Sequence, residues 1–116
     1  MGYDVEVATL KELRVPPDWN GIVLSSVYMW HTGTPNGTSG VTSVQIERDR
    51  GGTVNDLLST ELTIDAGETD SSTAATAAVI DADYKILEAG DILTFKCTAV
   101  PGGTVPTGLT IQLGLW

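Results

Sequence analysis

The stretch ELTIDAGETDSSTAATAAVID, Glu61 to Asp81, decides how this chain is read. It begins like a strand, turns acidic, and ends in a run of Ser, Thr and Ala. Asp65, Glu68, Asp70 and Asp81 fall within it, and Asp83 lies just beyond. Three readings compete: an ion-binding loop, a linker, or a surface crossover in a β-fold. Calcium takes several oxygen ligands, which closely spaced carboxylates can supply, so Asp65, Glu68 and Asp70 are the candidate calcium ligands. The spacing of an EF-hand loop is absent. The expectation is therefore a solvated segment, with no metal and no cofactor.

The flanks favour strands. In GIVLSSVYMWH (Gly21 to His31), Val23, Ser25, Val27 and Met29 share one face, and Ile22, Leu24, Ser26, Tyr28 and Trp30 share the other. Both faces carry apolar residues, so this strand is expected to be covered on both sides or partly by another subunit. VTSVQIERD (Val41 to Asp49) sets Val44, Ile46 and Arg48 opposite Ser43, Gln45 and Glu47. The Pro, Asn and Gly residues of TGTPNGTSG between them mark a loop. Asp49-Arg50-Gly51-Gly52 reads as a turn, Leu57-Leu58 as a short bridge, and Glu88-Ala89-Gly90-Asp91 as another turn. ILTFKCTAV (Ile92 to Val100) is a strong strand. LTIQLGLW (Leu109 to Trp116) closes the chain with Leu109, Ile111, Leu113 and Leu115 on one face. Only residues 71–79 carry a helical signal, and their Ser and Thr content argues against it. The pattern predicts an all-β sandwich of about seven or eight short antiparallel strands.

Composition narrows the function. A chain of 116 residues fits one domain and can bury a core without disulfides. The formal net charge is −9, and from Asp56 onward only Lys85 and Lys96 oppose nine acidic residues. Binding to nucleic acid or to an anionic membrane is not expected. The charge suits solubility, or an acidic surface that meets a basic partner. Cys97 is the only cysteine, so no intrachain disulfide can form, and it reads as a small, half-buried strand residue. A catalytic thiolate or hydroxyl would need a base, and His31 is the only histidine. No catalytic residues are expected. No apolar run reaches transmembrane length and no secretory signal opens the chain, so synthesis in the cytoplasm is expected.

The aromatic residues are the more suggestive set. Trp19, Trp30 and Trp116 sit at loop or strand ends, with Tyr3, Tyr28 and Tyr84. They serve as core-edge anchors, as contacts to another subunit, or as stacking platforms for carbohydrate. At the start, residues 1–12 mix apolar and charged positions, Tyr3 and Val5 among them, ahead of Pro16-Pro17. They read either as an arm that joins a neighbour's sheet edge or as a first strand of the domain's own sheet, with residues 13–116 as the domain proper.

Taken in order, Arg14-Val15-Pro16, Gly21-Ile22, Ala66-Gly67-Glu68, Gly90-Asp91 and Gly108-Leu109 form a pattern. It resembles small jelly-roll domains of tailed-bacteriophage structural proteins: head decoration proteins, head fibres and fibre tips. The resemblance spans roughly residues 13–116. It departs at Asp49-Arg50-Gly51-Gly52, where an Asn-Gly turn is usual, and at Trp116, where a charged residue is usual. It implies a jelly-roll β-sandwich, often trimeric, in the virion. The expected role is a head decoration (cement) protein that binds the major capsid protein or another virion protein. The alternative is a receptor- or glycan-binding domain at a fibre tip that meets a host-surface glycan. The interface candidates are Tyr3, Val5, Trp19, Tyr28, Trp30 and Trp116. A jelly roll needs long surface crossovers rich in short polar side chains, and this returns Glu61 to Asp81 to the connector reading.

Overall fold

The computed structural model describes residues 3–8, 12–31, 41–65, 67–99 and 109–116, with the backbone alone for residues 3–8, 31 and 109. Alternation of apolar and polar side chains builds its strands. Along β4 (Thr42–Arg50), Thr42, Val44, Ile46 and Arg48 are buried. Along β9 (Ile92–Ala99), Leu93 and Phe95 are buried, and along β10 (Leu109–Leu115), Ile111, Leu113 and Leu115 are. A period of two sends these residues to one side of each strand.

The remaining strands are β1 (Tyr3–Ala8), β2 (Glu12–Arg14), β3 (Leu24–His31), β5 (Thr53–Asp56), β6 (Leu58–Thr60), β7 (Leu62–Ile64) and β8 (Val79–Ile80). One 3-10 turn, Pro17–Trp19, is the only helical element among the described residues. The described residues form ten strands where seven or eight were expected. The excess comes from short pieces: the chain bends at Leu57 and Glu61, which splits one region into β5, β6 and β7. Leu57 is fully buried at its bend and its N–H bonds the Ile46 carbonyl at 2.8 Å, so the corner is stitched to β4.

All strand pairs are antiparallel. A three-stranded sheet runs β1-β10-β3, and a larger sheet runs β2-β9-β4-β5 with β7 also on β4. β6 and β8 form a separate pair. The pairings nest: β4 with β9 lies inside β3 with β10, and β6 with β8 lies inside both. The strands β1 and β2 stand outside these nested pairings and each adds an edge to one sheet, β1 beside β10 and β2 beside β9. The expected boundary after residue 12 falls within β2, where Glu12 pairs with Thr94.

One buried cluster joins the two larger sheets. It takes Leu24, Met29, Ile111 and Leu113 from one, and Val44, Ile46, Leu93 and Phe95 from the other. The burial pattern of β3 differs from strict alternation. Gly114 pairs with Ser26 but Leu115 pairs with Leu24, so Ser25 is an extra residue at a bulge. Both serines are exposed, while Leu24 and Met29 are fully buried. The bulge moves Leu24 to the core side. The register slip thus accounts for Leu24 on the core side, while Tyr28 and Trp30 stay on the outer face.

Candidate functional site

The crossover after β7 does not gather its carboxylates. Asp65 Oδ2 accepts the Ala75 N–H at 2.8 Å, and Glu68 Oε2 accepts the Thr73 hydroxyl at 2.6 Å. Asp70 Oδ1 accepts the Ser72 N–H at 2.8 Å and the Ser72 hydroxyl as well. Each carboxylate thus closes a local turn of residues 70–75. Among the described residues, no three His, Cys, Asp or Glu side chains converge as a metal site. Ala66 lies outside the described residues.

The same crossover shapes a depression on the outer face of the three-stranded sheet. Ser71 docks on the edge of β3: its N–H bonds the Met29 carbonyl at 2.9 Å and its hydroxyl accepts the Met29 N–H at 3.0 Å. That contact places Asp70 opposite Trp30 in an isolated bridge. Tyr28 and Trp30, two residues apart on one strand face, stack with ring centroids 5.4 Å apart and planes 30° apart. The Tyr28 phenol and the Asp70 carboxylate lie close enough to shift each other's proton affinity. Gln112 stands opposite Tyr28 on β10. Tyr28, Trp30, Thr69, Asp70 and Gln112 line an open hollow of about 350 Å³.

Electrostatics fix the protonation of this group. Burial, with help from the nearby Asp70 carboxylate and its hydrogen bond, raises the Tyr28 pKa. Hydrogen bonds from the Ser72 hydroxyl and N–H, and then from Tyr28, outweigh partial burial and lower the Asp70 pKa. Around neutral pH the phenol is a donor and the carboxylate an acceptor.

The other interface candidates are dispersed. Trp116 is 58% exposed and its ring lies across Gly114, on the same outer face as Tyr28 and Trp30. Trp19 is half-buried against the core from its 3-10 turn, so it anchors the entry to β3. Tyr3 and Val5 occupy β1, in register with Leu115 and Leu113. The His31 side chain lies outside the described residues. Burial pushes the Cys97 thiol pKa up, which makes it a poor nucleophile near neutral pH.

Two features had weak signals in the sequence. Arg50 and Arg48 on β4 hold the segment 84–91 from below. Arg50 binds Asp91 and Glu88, and Arg48 Nη1 donates to the Tyr84 carbonyl at 2.9 Å. The Arg48 guanidinium also lies 5.4 Å from the Tyr84 ring centre, a cation–π distance. An open polar groove of about 1020 Å³ runs between the outer face of β4 and the corner at β6, past Gln45, Glu47, Asp56, Glu61 and Asp81. Sequence periodicity marked Gln45 and Glu47 as one face of β4, but nothing in it showed what would face them.

No protein-family model, curated protein or solved structure matches this chain.

Proposed function

We propose that this chain is a non-enzymatic structural protein of a tailed-bacteriophage particle, a head decoration protein with a jelly-roll β-sandwich fold. The observation that carries the reading is the nested pairing of β3 with β10, β4 with β9, and β6 with β8. A jelly roll is a long antiparallel ribbon wound into two facing sheets, and nested ladders are its pairing signature. The shared buried cluster between the larger sheets supports the sandwich.

The mechanism is binding. The strand β1 forms one edge of the three-stranded sheet, and the exposed Trp116 lies on that sheet's outer face. An edge offers backbone donors and acceptors to an added strand, and an exposed Trp offers apolar area to a neighbour. Together they suit self-association, as a homotrimer, and docking on the major capsid protein in the virion. Many copies on a symmetric lattice turn modest contacts into strong retention.

The test is electron cryo-microscopy of particles from a phage lacking this protein, with and without the protein added back. Surface density that disappears and returns, together with reduced and restored heat resistance of the head, is the expected result. An intact, fully heat-resistant head with lost host adsorption would reject decoration. Light scattering that gives a monomer at micromolar concentration would reject the trimer.

A further inference from the structure

We infer that the hollow beside Tyr28 and Trp30 is a saccharide-binding subsite. The inference stands on the geometry of that hollow and does not depend on where in a particle the protein resides.

The chemistry of the lining selects the occupant. A sugar ring has an apolar C–H face and a rim of hydroxyls that donate and accept. The stacked Tyr28–Trp30 pair supplies a rigid apolar wall. Asp70 supplies an acceptor, already oriented by the Ser72 N–H and hydroxyl, and Gln112 supplies an amide that both donates and accepts. Thr69 closes the rim. The volume of about 350 Å³ lies at the small end of ligand sites, the size class of one or two rings. The hollow is preformed, because the Ser71–Met29 hydrogen bonds hold the crossover on β3.

An apolar partner surface fits less well. It would cover the Asp70 carboxylate without supplying new donors, and burying an ionised group that way is unfavourable. Sugar hydroxyls replace the water they displace with hydrogen bonds to the same oxygens. Trp116, farther along the sheet across Gly114, is not part of the hollow.

The experiment is a titration of the full-length protein, followed by the indole N–H resonance of Trp30, assigned with Trp30→Phe. The probes are chitotriose, maltotriose and mannotriose. At least one should shift that resonance saturably, with Kd of order 1 mM, typical of a small open site. Asp70→Asn and Gln112→Ala should each weaken binding by roughly tenfold, the scale of one lost hydrogen bond to a charged or polar group. Trp116→Ala should bind as the parent does. Trp30→Ala, read by titration calorimetry because it removes the reporter indole, should lose binding to the sugar that the parent takes. Where it fails to fold, Tyr28→Phe, which keeps both rings and the reporter, should still shift the Trp30 signal saturably. The proposal is overturned if none of the three sugars moves the Trp30 signal at tens of millimolar. Equal binding by Asp70→Asn and Gln112→Ala would also overturn it. So would a fall in oligomer mass in Trp30→Ala, which would make the face a contact between copies. Failure here leaves surface density on the virion untouched, so this reading and the decoration reading can fail separately.

Discussion

Arg50 meets Asp91 through two parallel hydrogen bonds, Nε to Oδ1 at 2.9 Å and Nη2 to Oδ2 at 2.8 Å. Asp91 is 1% exposed, and its Oδ2 also accepts the Glu88 N–H at 2.8 Å. Arg50 additionally reaches the Ile86 carbonyl at 3.0 Å and Glu88 Oε2 at 2.9 Å. One side chain at the end of β4 therefore organises the turn that starts β9. The backbone of Asp91 joins in, since its carbonyl accepts the Val15 N–H at 2.8 Å.

Removing that guanidinium should be costly. Arg50→Ala leaves a buried carboxylate with the Glu88 N–H as its direct hydrogen-bond donor. Breaking a buried pair costs about 3–5 kcal/mol. The Arg50 side chain is 34% exposed, and solvent screening reduces the expected loss to about 2–3 kcal/mol. Urea unfolding checks this through a lower midpoint at unchanged slope. Arg50→Lys should recover only part of the loss, because an ammonium cannot form the paired geometry.

Acid should unfold the protein partly through the same carboxylate. Burial alone would raise the Asp91 pKa, but the hydrogen bonds from Arg50 and Glu88 and the charges of Arg50 and Arg48 outweigh it and hold it below its usual value. The folded state then binds the proton less readily than the unfolded chain, whose Asp titrates near about 3.9. The contribution is complete above that pH and is lost as pH falls from there through the folded pKa. Urea midpoints between pH 2 and 6 should decline in that window in the parent. Asp91→Asn should be less stable at pH 6 and show a shallower decline.

Gln45 ties β6, which pairs in a ladder with β8, to the neighbouring strand β4. Its Nε2 donates to the Leu58 carbonyl at 2.9 Å, and its Oε1 accepts the Leu58 N–H at 3.2 Å. The side-chain amide thus acts as a peptide group at the edge of β6. Gln45→Leu keeps the bulk but leaves both Leu58 groups unsatisfied, at about 1–3 kcal/mol. Hydrogen exchange should show faster exchange of the Leu58 amide than in the parent, while β9 amides change only with global stability.

A side chain at Gly114 would force its neighbours to shift. A Cβ there would collide with the Ser26 hydroxyl and come within 3.0 Å of the Trp116 ring. Gly114→Ala should displace Trp116 and shift its fluorescence. Pairing it with Ser26→Gly should restore most of the lost stability, because the nearest clash is removed. Gly51 and Gly52 are required for another reason: their φ angles of 60° and 90° form the two-residue hairpin turn from β4 to β5. Ala at either should cost about 1 kcal/mol.

Cys97 should react slowly. A raised thiol pKa lowers the thiolate fraction near neutral pH. Its modification by a disulfide reagent at pH 7 should be slower than that of the urea-unfolded chain, and Cys97→Ala should leave stability nearly unchanged.

The sequence by itself determined the strands whose alternation is strict and whose turns carry glycine. Val44 and Ile46, Leu93 and Phe95, and Ile111, Leu113 and Leu115 are buried where their period of two puts them. Gly51-Gly52 and Gly90 turn where the pattern broke. The polar stretch after Ile64 is a crossover, because short Ser, Thr and Asp side chains satisfy an exposed backbone locally. Tertiary structure alone decided the rest. The bulge at Ser25 depends on how β10 pairs with β3, and it reversed the facing of Leu24. Asp70 meets Tyr28 and Trp30 only because Ser71 docks on β3, forty-two residues from its partner Met29. Local pattern sets which way a side chain points from its own strand. Which strand lies across from it is a long-range pairing, and no local pattern encodes that.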